Sequence, residues 1–79
     1  KLAVLQDLVA RHGLTLEQVA YIGDDVNDLA ALKAVGLSAS PADGMPVVHK
    51  VVRYICKKNG GEGAVRELAD LILAAQQPG

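Results

Sequence analysis

The chain has 79 residues, 51% of them apolar, with no Phe or Trp, two Tyr and a formal net charge of −1. That length holds one small domain whose core would be marginal on its own, built from Leu, Val, Ile and Ala. The near-neutral balance without a basic block excludes a nucleic-acid surface, the lone Cys56 excludes a disulfide framework, and no apolar run approaches the roughly 20 residues of a membrane helix.

Taken in chain order, the pattern alternates helix and strand. Leu2, Leu5, Leu8 and Val9 share one face of a first helix, which His12-Gly13 closes, with Gly13 just past the cap. Thr15-Leu16-Glu17-Gln18 has the form of a capping box and predicts a short helical turn. Val19 to Ile22 predicts a short buried strand running straight into Gly23. Beyond an acidic run, Leu29, Leu32 and Val35 predict a second helix stopped at Gly36, and Leu37-Ser38-Ala39 a second strand. Pro41 and Asp43-Gly44-Met45-Pro46 turn the chain into a short helix through Lys50, with Asp43 as its expected cap. Val51, Val52, Tyr54, Ile55 and Cys56 predict a third strand rich in β-branched residues, with Cys56 a buried, inert thiol. Lys57 to Gly63 is a polar loop. Val65, Leu68, Ala69, Ile72 and Ala75 are expected on the core face of a last helix, with Gln76 to Gly79 as a tail.

This alternation argues for parallel strands joined by crossovers. Three short parallel strands make a poor free-standing sheet. Residues 1–79 are therefore expected to be the C-terminal half of a larger doubly wound α/β domain, poorly folded when alone. With no signal segment, the cytoplasm is the default compartment.

Chemistry concentrates in Tyr21-Ile22-Gly23-Asp24-Asp25-Val26-Asn27-Asp28. Acids at the carboxyl end of a parallel strand stand where open α/β sheets place ligands. Asp24 and Asp25 repel each other unless a cation or hydrogen-bond donors compensate them. Hard oxygen ligands suit Mg²⁺, which takes one or two protein carboxylates plus water and phosphate oxygens. A plain helix start explains one or two acids, with Asn27 as the expected cap, but explains three less well. His12 and His49 have no partner at metal spacing and carry no assigned chemistry. The glycine-rich stretch Asn59 to Gly63 has two readings: structurally its glycines allow a tight turn into the last helix, and functionally that helix presents free N–H groups to an anion.

Gly23-Asp24-Asp25-x-x-Asp28 after an apolar strand resembles the fourth motif of the haloacid dehalogenase (HAD) superfamily of phosphohydrolases, and Lys1 stands where its third-motif lysine falls. The rest resembles a narrower branch. Gly36-Leu37-Ser38-Ala39, Pro41-Ala42-Asp43, Tyr54-Ile55-Cys56-Lys57 and Gly60-Gly61-Glu62-Gly63-Ala64-Val65-Arg66-Glu67 are similar to 3-deoxy-D-manno-octulosonate 8-phosphate (KDO 8-phosphate) phosphatases and to the phosphatase-like domain of some acylneuraminate cytidylyltransferases.

The resemblance implies a HAD-like, Rossmann-like domain, three-layer α/β/α with parallel strands, of which residues 1–79 are the C-terminal part. It implies Mg²⁺-dependent hydrolysis of a sugar-acid phosphomonoester (KDO 8-phosphate or acylneuraminate 9-phosphate type) through an aspartyl-phosphate. The nucleophile of that family lies in an Asp-x-Asp motif upstream, so residues 1–79 alone are expected to be inactive. By the same resemblance Asp24 is a metal ligand, Asp25 ligates through water or orients a ligand, and Asp28 faces the same cleft as a catalytic group. Lys1 is expected to pair with the nucleophile and the transferring phosphate. Gly60, Gly61 and Arg66 are expected at the substrate, in a tail that reaches a neighbouring subunit's site within a homo-tetramer. Arg66 meets a carboxylate or phosphate, while Glu67 pairs with it or faces solvent. Glu62 departs from the family, which is usually basic there. The alternative is a non-catalytic oligomerisation module of a cytidylyltransferase. Against it, the acids and Lys1 are electrostatically unfavourable to keep without a metal.

Overall fold

A computed structural model describes residues 1–76, with side-chain surroundings through residue 74. Helix α1 spans Leu2–Arg11, β1 Ala20–Ile22, α2 Leu29–Ala34, β2 Leu37–Ser40, α3 Pro46–His49, β3 Tyr54–Ile55 and α4 Ala64–Gln76. Single 3₁₀ turns at Leu16–Gln18, Val26–Asp28 and Gly60–Glu62 precede β1, α2 and α4. The strands form one parallel sheet in the order β1-β2-β3, with Tyr21 opposite Ser38 and Ala39 opposite Tyr54. The α/β class and parallel pairing are as the alternation predicts. Among the described residues no helix is long and apolar enough to cross a membrane.

Central strand β2 is the most buried element of the sheet: Ser38, Ala39 and Ser40 are all inside, as are Leu32 of α2 and Val48 of α3. Helix α1 packs on α2, which lies against β1 and β2. Val9 is buried and Leu2 and Leu5 half-buried, but Leu8 is 52% exposed, contrary to expectation. At about 100° per residue Leu8 lies a quarter-turn round the helix from Val9, at the edge of the stripe. Gly13 takes the left-handed conformation (φ 67°) that closes α1. In the predicted capping box, Thr15 N donates to Gln18 Oε1 at 2.9 Å.

Gly36 has a packing role. A Cβ there would fall 1.9 Å from the Glu17 carbonyl oxygen, and Gly36 N donates to Leu16 O at 3.0 Å, so only glycine lets the end of α2 lie against the first 3₁₀ turn.

Three expectations need correction here. The third strand is only Tyr54–Ile55, because Val51 N and Val52 N both donate to Val48 O and extend the turn of α3. Local hydrogen bonding thus overrides the β-branched pattern. Met45, not Asp43, is the cap residue of α3, since the Asp43 carboxylate is engaged by Gly60 N. On α4 the buried stripe is Ala64 and Leu68, followed by half-buried Ile72, so Val65 and Ala69, one residue on, turn outward. Ala75 and the tail beyond Gln76 lie outside the residues whose surroundings are described. Cys56 is 2% exposed, and burial raises its thiol pKa, as expected of an inert thiol.

Candidate active site

Gly23 N donates to Ala39 O at 3.0 Å, after which the chain leaves the carboxyl end of β1. The next turn folds around Asp28. Its Oδ2 accepts from Asp24 N at 3.0 Å and Asp25 N at 3.2 Å; its Oδ1 accepts from Lys1 Nζ at 2.7 Å and from the Tyr21 hydroxyl at 3.0 Å. With its residue surface 4% exposed, Asp28 is a buried charge with an ion partner and three further donors, which is the condition for keeping a buried carboxylate ionised. Gly23 is required by this contact, since a Cβ would stand 2.6 Å from Asp28 Cβ and 2.9 Å from its Oδ2.

The electrostatics follow. Burial pushes the Asp28 carboxyl up, but the Lys1 ammonium, the Asp25 N–H, the Tyr21 hydroxyl and the Asp24 N–H together outweigh it and hold it below the usual carboxylate value. The hydrogen bond to Asp28 raises Lys1 against desolvation, while burial, then Asp28, raise Tyr21. At neutral pH the pair is ammonium and carboxylate.

A cleft of about 330 Å³ opens beside this network, lined among others by Lys1, Tyr21, Asp24, Asp28, Pro41 and Gly60. Four of the expected site residues, from three separate stretches of chain, therefore meet in one place. Asp24 is exposed at the cleft with no side-chain partner among the described contacts. Asp25 stands beside it and caps the 3₁₀ turn, its Oδ1 accepting from Val26 N, so Asp25 rather than Asn27 is the cap. Gly61 and Arg66 do not line this cleft. Arg66 pairs with Asp70 at 3.2 Å on the outer side of α4, in a separate open groove of about 630 Å³ that also takes in Lys57, Lys58, Glu62 and Glu67.

Among the described residues no three His, Cys, Asp or Glu side chains cluster as a metal cage. Asp28 is fully engaged, which leaves the Asp24 carboxylate and the second oxygen of Asp25. That donor set suits a hard cation keeping water and substrate oxygens in most of its positions, and does not suit a closed zinc-type site.

Several supports were missed by sequence reasoning. Tyr21 shares a strand face with Gly23, so its period-two position was a usable signal for its place at the cleft. Asp43 Oδ1 accepts from Gly60 N at 2.9 Å, and half-buried His49 contacts the Pro41 carbonyl through Nε2 at 3.0 Å. Half-buried Glu67 does not pair with Arg66. It accepts from Tyr54 and from the backbone of Lys57 and Lys58.

A parallel sheet with an acid-bearing turn at the carboxyl end of a strand, and an ammonium held beside it, defines an α/β protein of the kind that handles anionic ligands at its strand ends. The chain belongs to the haloacid dehalogenase-like hydrolase family, whose profile matches residues 1–68. It is 46% identical over 76 residues to the 3-deoxy-D-manno-octulosonate 8-phosphate phosphatase of Yersinia pestis, covering 96% of this chain and 41% of that protein. The corresponding phosphatase of Moraxella catarrhalis, solved with magnesium, phosphate and KDO, superposes with a TM-score of 0.93 at 45% identity, over 96% of this chain and 44% of that one. The cobalt-bound enzyme of Haemophilus influenzae gives a TM-score of 0.91 at 44% identity, over 95% and 44% respectively. The chain thus spans about two fifths of the length of the curated relatives it matches.

Proposed function

We propose that this chain forms the C-terminal part of a magnesium-dependent phosphatase acting on a sugar-acid phosphomonoester of the KDO 8-phosphate or acylneuraminate 9-phosphate type. The observation that carries the reading is the Lys1 ammonium, fixed on buried Asp28 in the same cleft as the exposed Asp24 carboxylate. The similarity to KDO 8-phosphate phosphatases supports the substrate class.

Asp24, with Asp25 directly or through water, would hold Mg²⁺. When bound, the ion supplies Lewis-acid neutralisation of charge on phosphoryl oxygens. Lys1 gives one of its three N–H donors to Asp28 and directs the others into the cleft, where they meet phosphoryl oxygens. Asp28 acts by positioning: it aims Lys1 and holds the Asp24-Asp25 backbone in its turn. The nucleophile that forms the aspartyl-phosphate would belong to an Asp-x-Asp segment outside residues 1–79, which contain no such motif and whose Asp7 does not line the cleft. Alone, these residues would support the reaction without performing it. The same proposal includes a cytoplasmic homo-tetramer, for which Val65 and Leu73, 62% and 58% exposed on α4, offer apolar surface.

The test is phosphate release by the full-length protein over a panel of sugar phosphates, with Mg²⁺ and with chelator. Magnesium-dependent release concentrated on eight- or nine-carbon acidic sugar phosphates supports the reading. A folded protein that releases phosphate from none of them moves the function to the oligomerisation module.

A further inference from the structure

One side of the cleft is formed by Gly60, in a segment where Gly60, Gly61 and Gly63 have no side chains to hold the backbone in place. Two carboxylates from elsewhere do so. Glu67 Oε1 accepts from Lys57 N and Lys58 N, each at 2.9 Å. Its Oε2 accepts from the Tyr54 hydroxyl at 2.6 Å and from Lys57 N at 2.9 Å. Five residues on from Asn59, which enters the 3₁₀ turn, the chain passes into α4; within that turn, Gly60 N donates to Asp43 Oδ1 at 2.9 Å. One carboxylate thus gathers Tyr54 of β3, the Lys57-Lys58 backbone that leads into the glycine-rich segment, and the first turn of α4. The Tyr54 hydrogen bond, followed by the Lys57 N–H, holds the Glu67 carboxyl below its usual range, so the tether is ionised at neutral pH. A first-turn Glu is favoured by the helix dipole alone, but that preference does not call for contacts to the backbone of a different segment.

We propose that Glu67 is a positioning residue of the cleft: by tying the Lys57 and Lys58 backbone to α4 it sets where Gly60 stands across from Lys1 and Asp24, and so where the organic part of a phosphate ester is held. This rests on the phosphatase reading and adds to it the residue that orders the substrate side of the site. Asp43 secures the same segment further along.

The test uses Glu67→Ala and Glu67→Gln in the full-length protein. Alanine is the better helix former and the lost dipole contact is small, so a role confined to building α4 predicts no rise in KM and no exchange change confined to residues 57–60 in Glu67→Ala. Glutamine keeps a carbonyl oxygen for the two lysine N–H groups and should rescue. In Glu67→Ala, KM for KDO 8-phosphate should rise about tenfold with kcat within about threefold, the signature of lost substrate binding that does not change in the transition state. Amide exchange across residues 57–60 should accelerate at least about tenfold, with Gly23 and Asp24 unchanged. Glu67→Gln should restore most of both. Unchanged exchange and KM in Glu67→Ala, equal acceleration at Gly23 and Asp24, or a glutamine variant as impaired as alanine would each overturn the proposal. If the wild-type protein releases no phosphate, the phosphatase reading falls, while the exchange comparison still decides the tether.

Discussion

Lys1 and Asp28 are 27 positions apart in the sequence and 2.7 Å apart in space. Asp28 is buried while the Lys1 side chain remains 50% exposed, so the pair is a fixed base with a charged head directed at the cleft. The acid contributes order and the lysine contributes charge.

Asp28→Asn tests that division. The amide keeps the shape but removes the charge that aims Lys1, and leaves a donor where only acceptors were used. We predict a stability loss of about 1–3 kcal/mol and a fall in kcat of about a hundredfold in the full-length protein, since a misplaced group about 1 Å off costs that much. Urea unfolding and steady-state kinetics measure the two effects; wild-type kcat in a folded Asp28→Asn protein would contradict the assignment.

Two glycines separate steric need from loop composition. In Gly23→Ala the new Cβ meets Asp28 Cβ at 2.6 Å, whereas at Gly61 nothing lies within 4 Å and φ is not positive. Gly23→Ala should destabilise by about 1–3 kcal/mol, as overpacked sites do. Gly61→Ala should leave the thermal midpoint in place, and a matching drop in both variants would show that the Asp28 contact is not what requires Gly23.

The acid limb of stability should carry the signature of Asp28. Its folded carboxyl lies below its ordinary value of 3.8, so the native state binds fewer protons than the unfolded chain as pH falls through that region. The stabilisation is therefore complete above pH 3.8 and is lost as pH drops through the lower, folded value. Denaturant titrations between pH 6 and the acid limit should show a steeper decline for wild type than for Asp28→Asn (the sampling range is about that of ordinary acid unfolding). Parallel curves would remove Asp28 as the titrating group.

The site was legible where residue type and order both pointed to it. An apolar run ending at Gly23-Asp24-Asp25 locates a strand end, and the repeat to Asp28 brings a third acid to the same turn. What the pattern left out was how each acid is used. Asp28 faces inward because Val26–Asp28 is a 3₁₀ turn that aims its carboxylate back at the Asp24 and Asp25 N–H groups. Asp43 and Glu67 bind backbone N–H groups 17 and 10 positions away, partners that leave no trace in side-chain identity. Val51 and Val52 misled for a related reason: their β-branched side chains suggest a strand, while their N–H groups are already taken by Val48 O.

Residues 1–79 expressed alone should not unfold cooperatively. Both β1 and β3 are outer strands of the sheet, and Val4 and Val65 are 67% and 62% exposed. A parallel sheet with bare edges and apolar surface tends to associate. A sharp, reversible urea transition for a monomer of this segment would show that its core suffices.

The most direct measurement is magnesium-dependent phosphate release from KDO 8-phosphate by the full-length protein, wild type beside Asp24→Asn. We predict release by the wild type that chelator abolishes and a loss of at least about a hundredfold in Asp24→Asn, because removing a metal ligand removes the charge stabilisation the ion supplies. Wild-type rates in a folded Asp24→Asn protein, or release indifferent to magnesium, would contradict it.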